Sequence, residues 1–147
     1  MNIIEAVRKL LSEFPKINEI SGTVHIDFAD SEPDSYSLSS AGDELLREDI
    51  LGNPIRQHTF YFYSVWQSFN DFDRLNNSGA LLELADWLAR HGRGLEITAD
   101  IDGKEYPGEV RKITAANGML FEIPPELNGG VRYQLHIIAE YKINTED

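Results

Sequence analysis

Two kinds of side chain in this sequence have types suited to chemistry, carboxylates in clusters and histidines. Asp27, Asp30, Glu32 and Asp34 fall within eight residues, and such a group supplies the several hard oxygens that Ca²⁺ prefers. Their spacing misses the helix-flanked calcium loop, which needs a glycine at its sixth position and a glutamate at its twelfth. Asp100, Asp102 and Glu105 look similar, but Asp102-Gly103 is a turn dipeptide and these acids read as solvated. The histidines, His25, His58, His91 and His136, stand apart in sequence, without the spacing that sets two imidazoles on one helical face. His25 and His58 would share a site only if their strands paired; the plainer reading is a satisfied histidine on a surface or in a ladder. No nucleophile elbow, phosphate-binding glycine loop or dinucleotide fingerprint occurs, and Gly92-Arg93-Gly94 reads as the stop of a helix. A Ser-His-Asp constellation stays open, because its members need no proximity along the chain. With no motif in favour of bond-making, the expectation is a protein that is not an enzyme and uses no cofactor or metal.

The elements that would position these groups follow from periodicity. Ile3, Ile4, Val7, Leu10, Leu11 and Phe14 recur at helical spacing with charges between them, which predicts an amphipathic helix over 2–14 stopped by Pro15. It reads as a helix packed on its own domain, because its polar face lacks the basic bias of a membrane-surface helix. Val24, Ile26 and Phe28 alternate with polar residues, and so do Tyr36 and Leu38, predicting two strands that can form a hairpin. Residues 41–54 read as a long polar excursion with one helical turn, carrying Leu45, Leu46, Ile50 and Leu51 for contact with a neighbouring subunit.

Residues 56–66 put Phe60, Phe62 and Trp66 on one side and Tyr61, Tyr63 and Val65 on the other, so both sides are apolar and the strand is expected to be central. Ser68 and Asp71 suggest a cap. A long helix follows, with Phe72, Leu75, Gly79, Leu81, Leu82, Leu84, Ala85, Trp87 and Leu88, then Arg90 and His91 in its last turn and Gly92 closing it at positive φ. Asp102-Gly103 and Asn117-Gly118 predict two tight hairpins. Val131, Tyr133, Leu135, Ile137, Ala139, Tyr141 and Ile143 alternate with mostly polar residues, which predicts a final strand with one buried face. The order predicts one α+β domain over 1–147: an antiparallel or mixed sheet of about four to six strands, with the N-terminal helix and a long central helix packed against it.

Composition narrows the function. The 147 residues carry 13 Lys+Arg against 25 Asp+Glu, a net charge of -12, which argues against a partner held through phosphates and against sequence-specific nucleic-acid binding. Cysteine is absent, which removes disulfides, thiolate metal sites and thiol nucleophiles, and a cytosolic origin fits best. No apolar run approaches the roughly 18 residues that span a bilayer, and the amphipathic N-terminal stretch is unlike a secretion signal, so no membrane association is expected.

Three segments resemble the tail-terminator or minor-capsid proteins of long-tailed phages and prophages. They are MNIIEAVRKLLSEFP with the following VHIDF; the aromatic strand and helix of RQHTFYFYSVWQSFNDFDRLNNSGALLELADWLARH; and VRKITAANGMLFEI with GVRYQLHIIAEYKI. Residues 41–54 and 94–108 match least well. The resemblance implies a structural protein that forms a ring, hexameric in the virion, at the head-proximal end of the tail tube. There it ends tube polymerisation and joins the tail to the head connector. Its implied partners are copies of itself, the tail tube protein and the connector protein, and its implied location is the host cytoplasm during assembly and then the head-tail junction.

A ring needs two different complementary patches on each subunit. The candidate subunit or tube contacts are Leu45, Leu46, Ile50 and Leu51 in the excursion, with Arg56, Tyr61 and Tyr63 on the aromatic strand; the tyrosines also fit a core. Carboxylates facing a channel would let DNA slide, while like charges oppose ring closure at low salt, where the Debye length is about 30 Å at 0.01 M. The chain alone is thus expected as a monomer or a mixed population. The alternative reading is an acidic binding module such as a DNA mimic, though no segment arrays carboxylates at phosphate-like spacing. A third, an enzyme with dispersed residues, requires a concave pocket with perturbed titratable groups.

Overall fold

A computed structural model describes the backbone of residues 1–15, 25–26, 35–67, 71–122 and 130–145, with side chains for 1–15, 36–64, 79–116 and 132–145. In chain order the elements are α1 (Ile3–Ser12), β1 (His25–Ile26), β2 (Ser35–Glu48), β3 (Pro54–Gln67), α2 (Asp71–His91), β4 (Glu96–Ile101), β5 (Lys104–Glu122) and β6 (Gly130–Ile143). The class is α+β. The strands form one sheet in the order β1-β2-β3-β6-β5-β4, antiparallel from β2 through β4.

The first helix forms for the reasons its sequence states. Asn2 caps it by accepting from the Glu5 amide at 2.9 Å, and the Glu5 carboxylate accepts from the Asn2 amide in return. Its apolar stripe Ile3, Ala6, Val7, Leu10 and Leu11 is buried, and each of the larger side chains gains about 1.5–3 kcal/mol from leaving water. The Met1 carbonyl accepts from the Thr98 amide at 2.9 Å, which ties the start of this helix to β4. Phe14 then meets the Trp87 ring edge-on at 5.6 Å, joining α1 to α2.

The strands β3 and β6 occupy the middle of the sheet, which the two-sided apolar character of 56–66 predicts for β3. Phe60, Phe62, Tyr133, Leu135, Ile137 and Ala139 turn toward the helices and merge with α1 and α2 residues into one buried cluster. The Asp102-Gly103 hairpin forms as expected, with φ of 51° and 81° at those two residues, both on the left-handed side that primed turns need.

Five expectations are corrected. Residues 41–54 are not an excursion: β2 runs to Glu48 and pairs with β3 down to Pro54, so only a short turn separates them. Two bulges, between Ser40 and Gly42 and between Leu45 and Arg47, add residues to β2 and break the two-residue alternation that would have revealed a strand. The pairing of β1 with β2 is parallel, His25 beside Ser37, so these strands make no hairpin. Asn117-Gly118 lies inside β5 at a break in register between Ala116 and Met119, where β5 stays paired with β6; the same dipeptide chemistry serves a bulge as well as a turn.

The long helix is peripheral, not central, resting against β5 and α1. It buries Leu81, Leu84 and Leu88, while Leu82 is 74% exposed. Its terminal glycine has a different task from the expected one. Gly94, not Gly92, takes the positive φ, at 85°, and an added Cβ on Gly92 would lie 2.5 Å from Ile113 Cδ1. The cap at Ser68 lies outside the described residues, as do the side chains of Asp27, Asp30, Glu32 and Asp34.

Candidate functional site

The candidate contacts fall in two places. Leu45, Leu46, Ile50 and Leu51 gather where β2 turns into β3, exposed by 50%, 37%, 100% and 61%. Four large apolar side chains thus lie open to water on one hairpin end. Among the described residues, β1 pairs with this strand at Ser37 and Leu38, and no strand pairs with its outer edge beyond them. The bulges and the charges of Glu44, Arg47 and Glu48 discourage indiscriminate strand addition there.

The tip is held by polar groups from behind. Asp49 Oδ1 accepts from the Leu51 and Asn53 amides, each at 2.9 Å. Asp49 Oδ2 accepts from Asn53 Nδ2 at 3.2 Å and pairs with Lys142 Nζ at 2.7 Å. Asn53 is buried, and its Oδ1 accepts from the Thr145 amide at 2.9 Å. Residues of β6 and the segment after it thereby fasten the turn while its apolar side chains remain outside.

Arg56 pairs with Leu45 in the register at this same end and, like Phe60 and Phe62 on its strand, faces the helices' side of the sheet. Its Nε donates to Asp43 Oδ1 at 2.5 Å. Asp43 Oδ2 accepts from the Tyr141 hydroxyl and lies 2.8 Å from His58 Nδ1, while His58 Nε2 faces Ser40 Oγ within hydrogen-bond distance. The register brings these residues together because Asp43 pairs with His58, and Arg56 with Tyr141, across neighbouring strands. Burial alone would push the Asp43 carboxyl up; hydrogen bonds from Tyr141, Arg56 and His58, with the Arg56 charge, more than offset it and hold the group below the usual carboxylate range. Burial and the Asp43 carboxylate push the Tyr141 hydroxyl well up.

Tyr61 and Tyr63 occupy the opposite face of the sheet, half-buried. Tyr61 meets the His136 ring edge-on at 4.5 Å, and Gln134 Nε2 donates to the Tyr63 hydroxyl at 3.1 Å. The structure therefore joins Leu45, Leu46, Ile50, Leu51 and Arg56 at one end of the molecule and separates them from the tyrosines. His25 and His58 are not brought together, because β2 stands between their strands. His91 instead contacts the Trp87 carbonyl at 2.9 Å. Among the described residues no group of three acids or histidines could hold a metal ion, and no helix is long and apolar enough to cross a membrane.

Sequence reasoning missed Ser40, Asp43, Asp49, Asn53 and Tyr141. The only local signal was the concentration of polar residues around 40–53 among leucines, which reads equally well as a solvated loop.

The two anchoring carboxylates make stability acid-sensitive. The hydrogen bond from Lys142, with those from Asn53 and Leu51, holds Asp49 far below its ordinary value against its partial desolvation. Asp43 is lowered too, so the unfolded chain binds more protons than the folded one at acid pH. Their stabilisation is present above about pH 4 and is lost as pH falls through the lower folded values. The urea midpoint is expected to drop progressively below about pH 4, with a shallower decline in Asp49→Asn; an unchanged slope in that variant would count against the Lys142 pairing. Comparison with known proteins matches no family model and no curated protein.

Proposed function

We propose that this chain is a structural subunit of the tail-terminator kind, which assembles head to tail into a ring at the head-proximal end of a phage tail tube and meets the head connector there. The observation that carries the reading is the fastened hairpin end with Leu45, Leu46, Ile50 and Leu51 open to water. A head-to-tail ring needs a second, different patch, and our candidate lies at the far edge of the sheet. A hollow of about 510 Å³ opens among Met1, Ile97, Thr98, Pro107, Gly108 and Glu109. The hairpin belongs to β2 and β3, the hollow to β4 and β5, at opposite edges of the sheet. One copy's tip against the next copy's hollow propagates in one direction, which gives a ring where the rotation per copy closes.

The absence of cysteine gives a direct test. A chain carrying Leu51→Cys and Glu109→Cys is expected to form disulfide-linked ladders on mild oxidation, and equal mixing of the single variants to form one mixed dimer. Dimers from Leu51→Cys alone, with none from the mixture, would overturn the head-to-tail arrangement.

Exchanging the apolar tip is expected to leave the fold intact. Ile50→Ser with Leu51→Ser removes side chains that are 100% and 61% exposed, so unfolding stability should move by no more than about 0.5 kcal/mol. Assembly, measured by light scattering across protein and salt concentration, should weaken at least about tenfold, about 1.4 kcal/mol. In the parent chain, with its net charge of -12, assembly should strengthen as salt screens subunit repulsion.

A further inference from the structure

We propose that Ser40 is an activated nucleophile, with His58 as its general base and Asp43 holding that base, and that it takes acyl groups from small activated esters. This goes beyond the assembly role and does not depend on it. Asp43 Oδ2 stands 2.8 Å from His58 Nδ1, and His58 Nε2 faces Ser40 Oγ. The carboxylate fixes the histidine proton on Nδ1, which leaves the Nε2 lone pair for the serine hydroxyl. That is the order of contacts a Ser-His-Asp relay requires, recognised by geometry and independent of chain order or fold.

The surroundings hold this order in place. Arg56 and the Tyr141 hydroxyl both donate to Asp43, one to each oxygen, so the carboxylate cannot swing away from the imidazole. The histidine is buried, its ring 4.5 Å from that of Phe60, whereas Ser40 is exposed. A network serving only to clamp β2 onto β3 has no need to end on a hydroxyl open to solvent. The bulge at Ala41 adds a residue next to Ser40 and carries Asp43 into register with His58. Without it the alternation along β2 would turn Asp43 to the opposite face from Ser40.

The chemistry balances without a redox partner. Ser40 Oγ forms a bond to the ester carbonyl carbon as its proton passes to His58 Nε2. The bond from that carbon to the leaving oxygen then breaks, and the departing oxygen takes the proton. Water repeats the sequence on the acyl-serine, giving the acid and restoring the hydroxyl. An open depression beside the network, about 270 Å³, is lined by Ala41, Gly42, Asp43, Glu44, Gln57 and Thr59, and by neither Ser40 nor His58. The acceptor therefore suits small, strongly activated groups, and acylation should outrun turnover.

The test uses the full chain with a fluorophosphonate, whose phosphorus forms a bond to Oγ as fluoride leaves, read by intact mass and peptide mapping. One adduct on Ser40 is expected, absent in Ser40→Ala, an exposed change that should leave folding alone. His58→Gln should slow labelling about 100-fold or more, the usual weight of a general base. In Asp43→Asn the labelling should also slow, while ¹⁵N chemical shifts of His58 show the proton leaving Nδ1. No adduct, an adduct that survives Ser40→Ala, or labelling of Ser40 at an undiminished rate in a folded His58→Gln chain would each overturn the proposal.

Discussion

Phe62→Ala is expected to destabilise the chain by about 3–5 kcal/mol, while Tyr61→Ala, one residue away, should cost no more than about 1 kcal/mol. The contrast comes from the alternation of a strand. Phe62 is fully buried, stacks on Tyr36 at 5.9 Å and 10°, and belongs to the cluster that α1 and α2 cover. Its removal loses both transfer energy and packing, because a site walled by Tyr36 and Leu135 cannot collapse around an alanine. Tyr61 points to the opposite face and is half-buried, and its edge contact with His136 is replaceable by water. Urea unfolding followed by circular dichroism measures both. Comparable losses would mean that the Tyr61 face is packed as tightly as the Phe62 face. A large assembly defect in Tyr61→Ala without instability would add that face to the subunit contacts.

Gly108→Ala is expected to destabilise the chain by about 2–3 kcal/mol, although alanine in a strand is ordinarily an improvement on glycine through the unfolded state. A Cβ at Gly108 would lie 2.5 Å from the Lys142 carbonyl oxygen and 3.3 Å from Ile97 Cγ1. The first neighbour is backbone in the β5–β6 ladder and has no rotamer by which to move aside. Relief requires the strands to part, and they carry the register of half the sheet. Gly103→Ala is a useful control: its space is open, but its φ is 81°, so it suffers strain without a clash. Thermal or urea unfolding that ranks Gly108→Ala no worse than Gly103→Ala would refute the close approach.

What was legible in the chain depended on how local its cause was. Asn2 and Glu5 are three residues apart and cap a helix by themselves. Asp102-Gly103 makes its turn from the φ values those two residues accept. The alternation in β6 holds over Val131 to Ile143 because that strand takes no insertion. In β2 two bulges shift the phase, so the same kind of strand looks like a polar loop with stray leucines. The apolar residues of 41–54 are legible as a group, but the fastening of their turn by Asn53 and Thr145, 92 residues apart, leaves no trace in either stretch.

The sequence by itself determined the α+β class, the inward faces of α1, β3 and β6, the lack of thiol chemistry and the acidic charge. Each follows from residue type and short-range period. Tertiary structure alone decided that β1 joins in parallel, that 41–48 is strand, and that Ser40, His58, Asp43 and Tyr141 meet at one end of the sheet. The physical reason is that polar contacts constrain residues by position in space and not by spacing. Asp43 and Tyr141 touch across 98 residues of chain, and they do so only because a single added residue in β2 sets the register that brings them together.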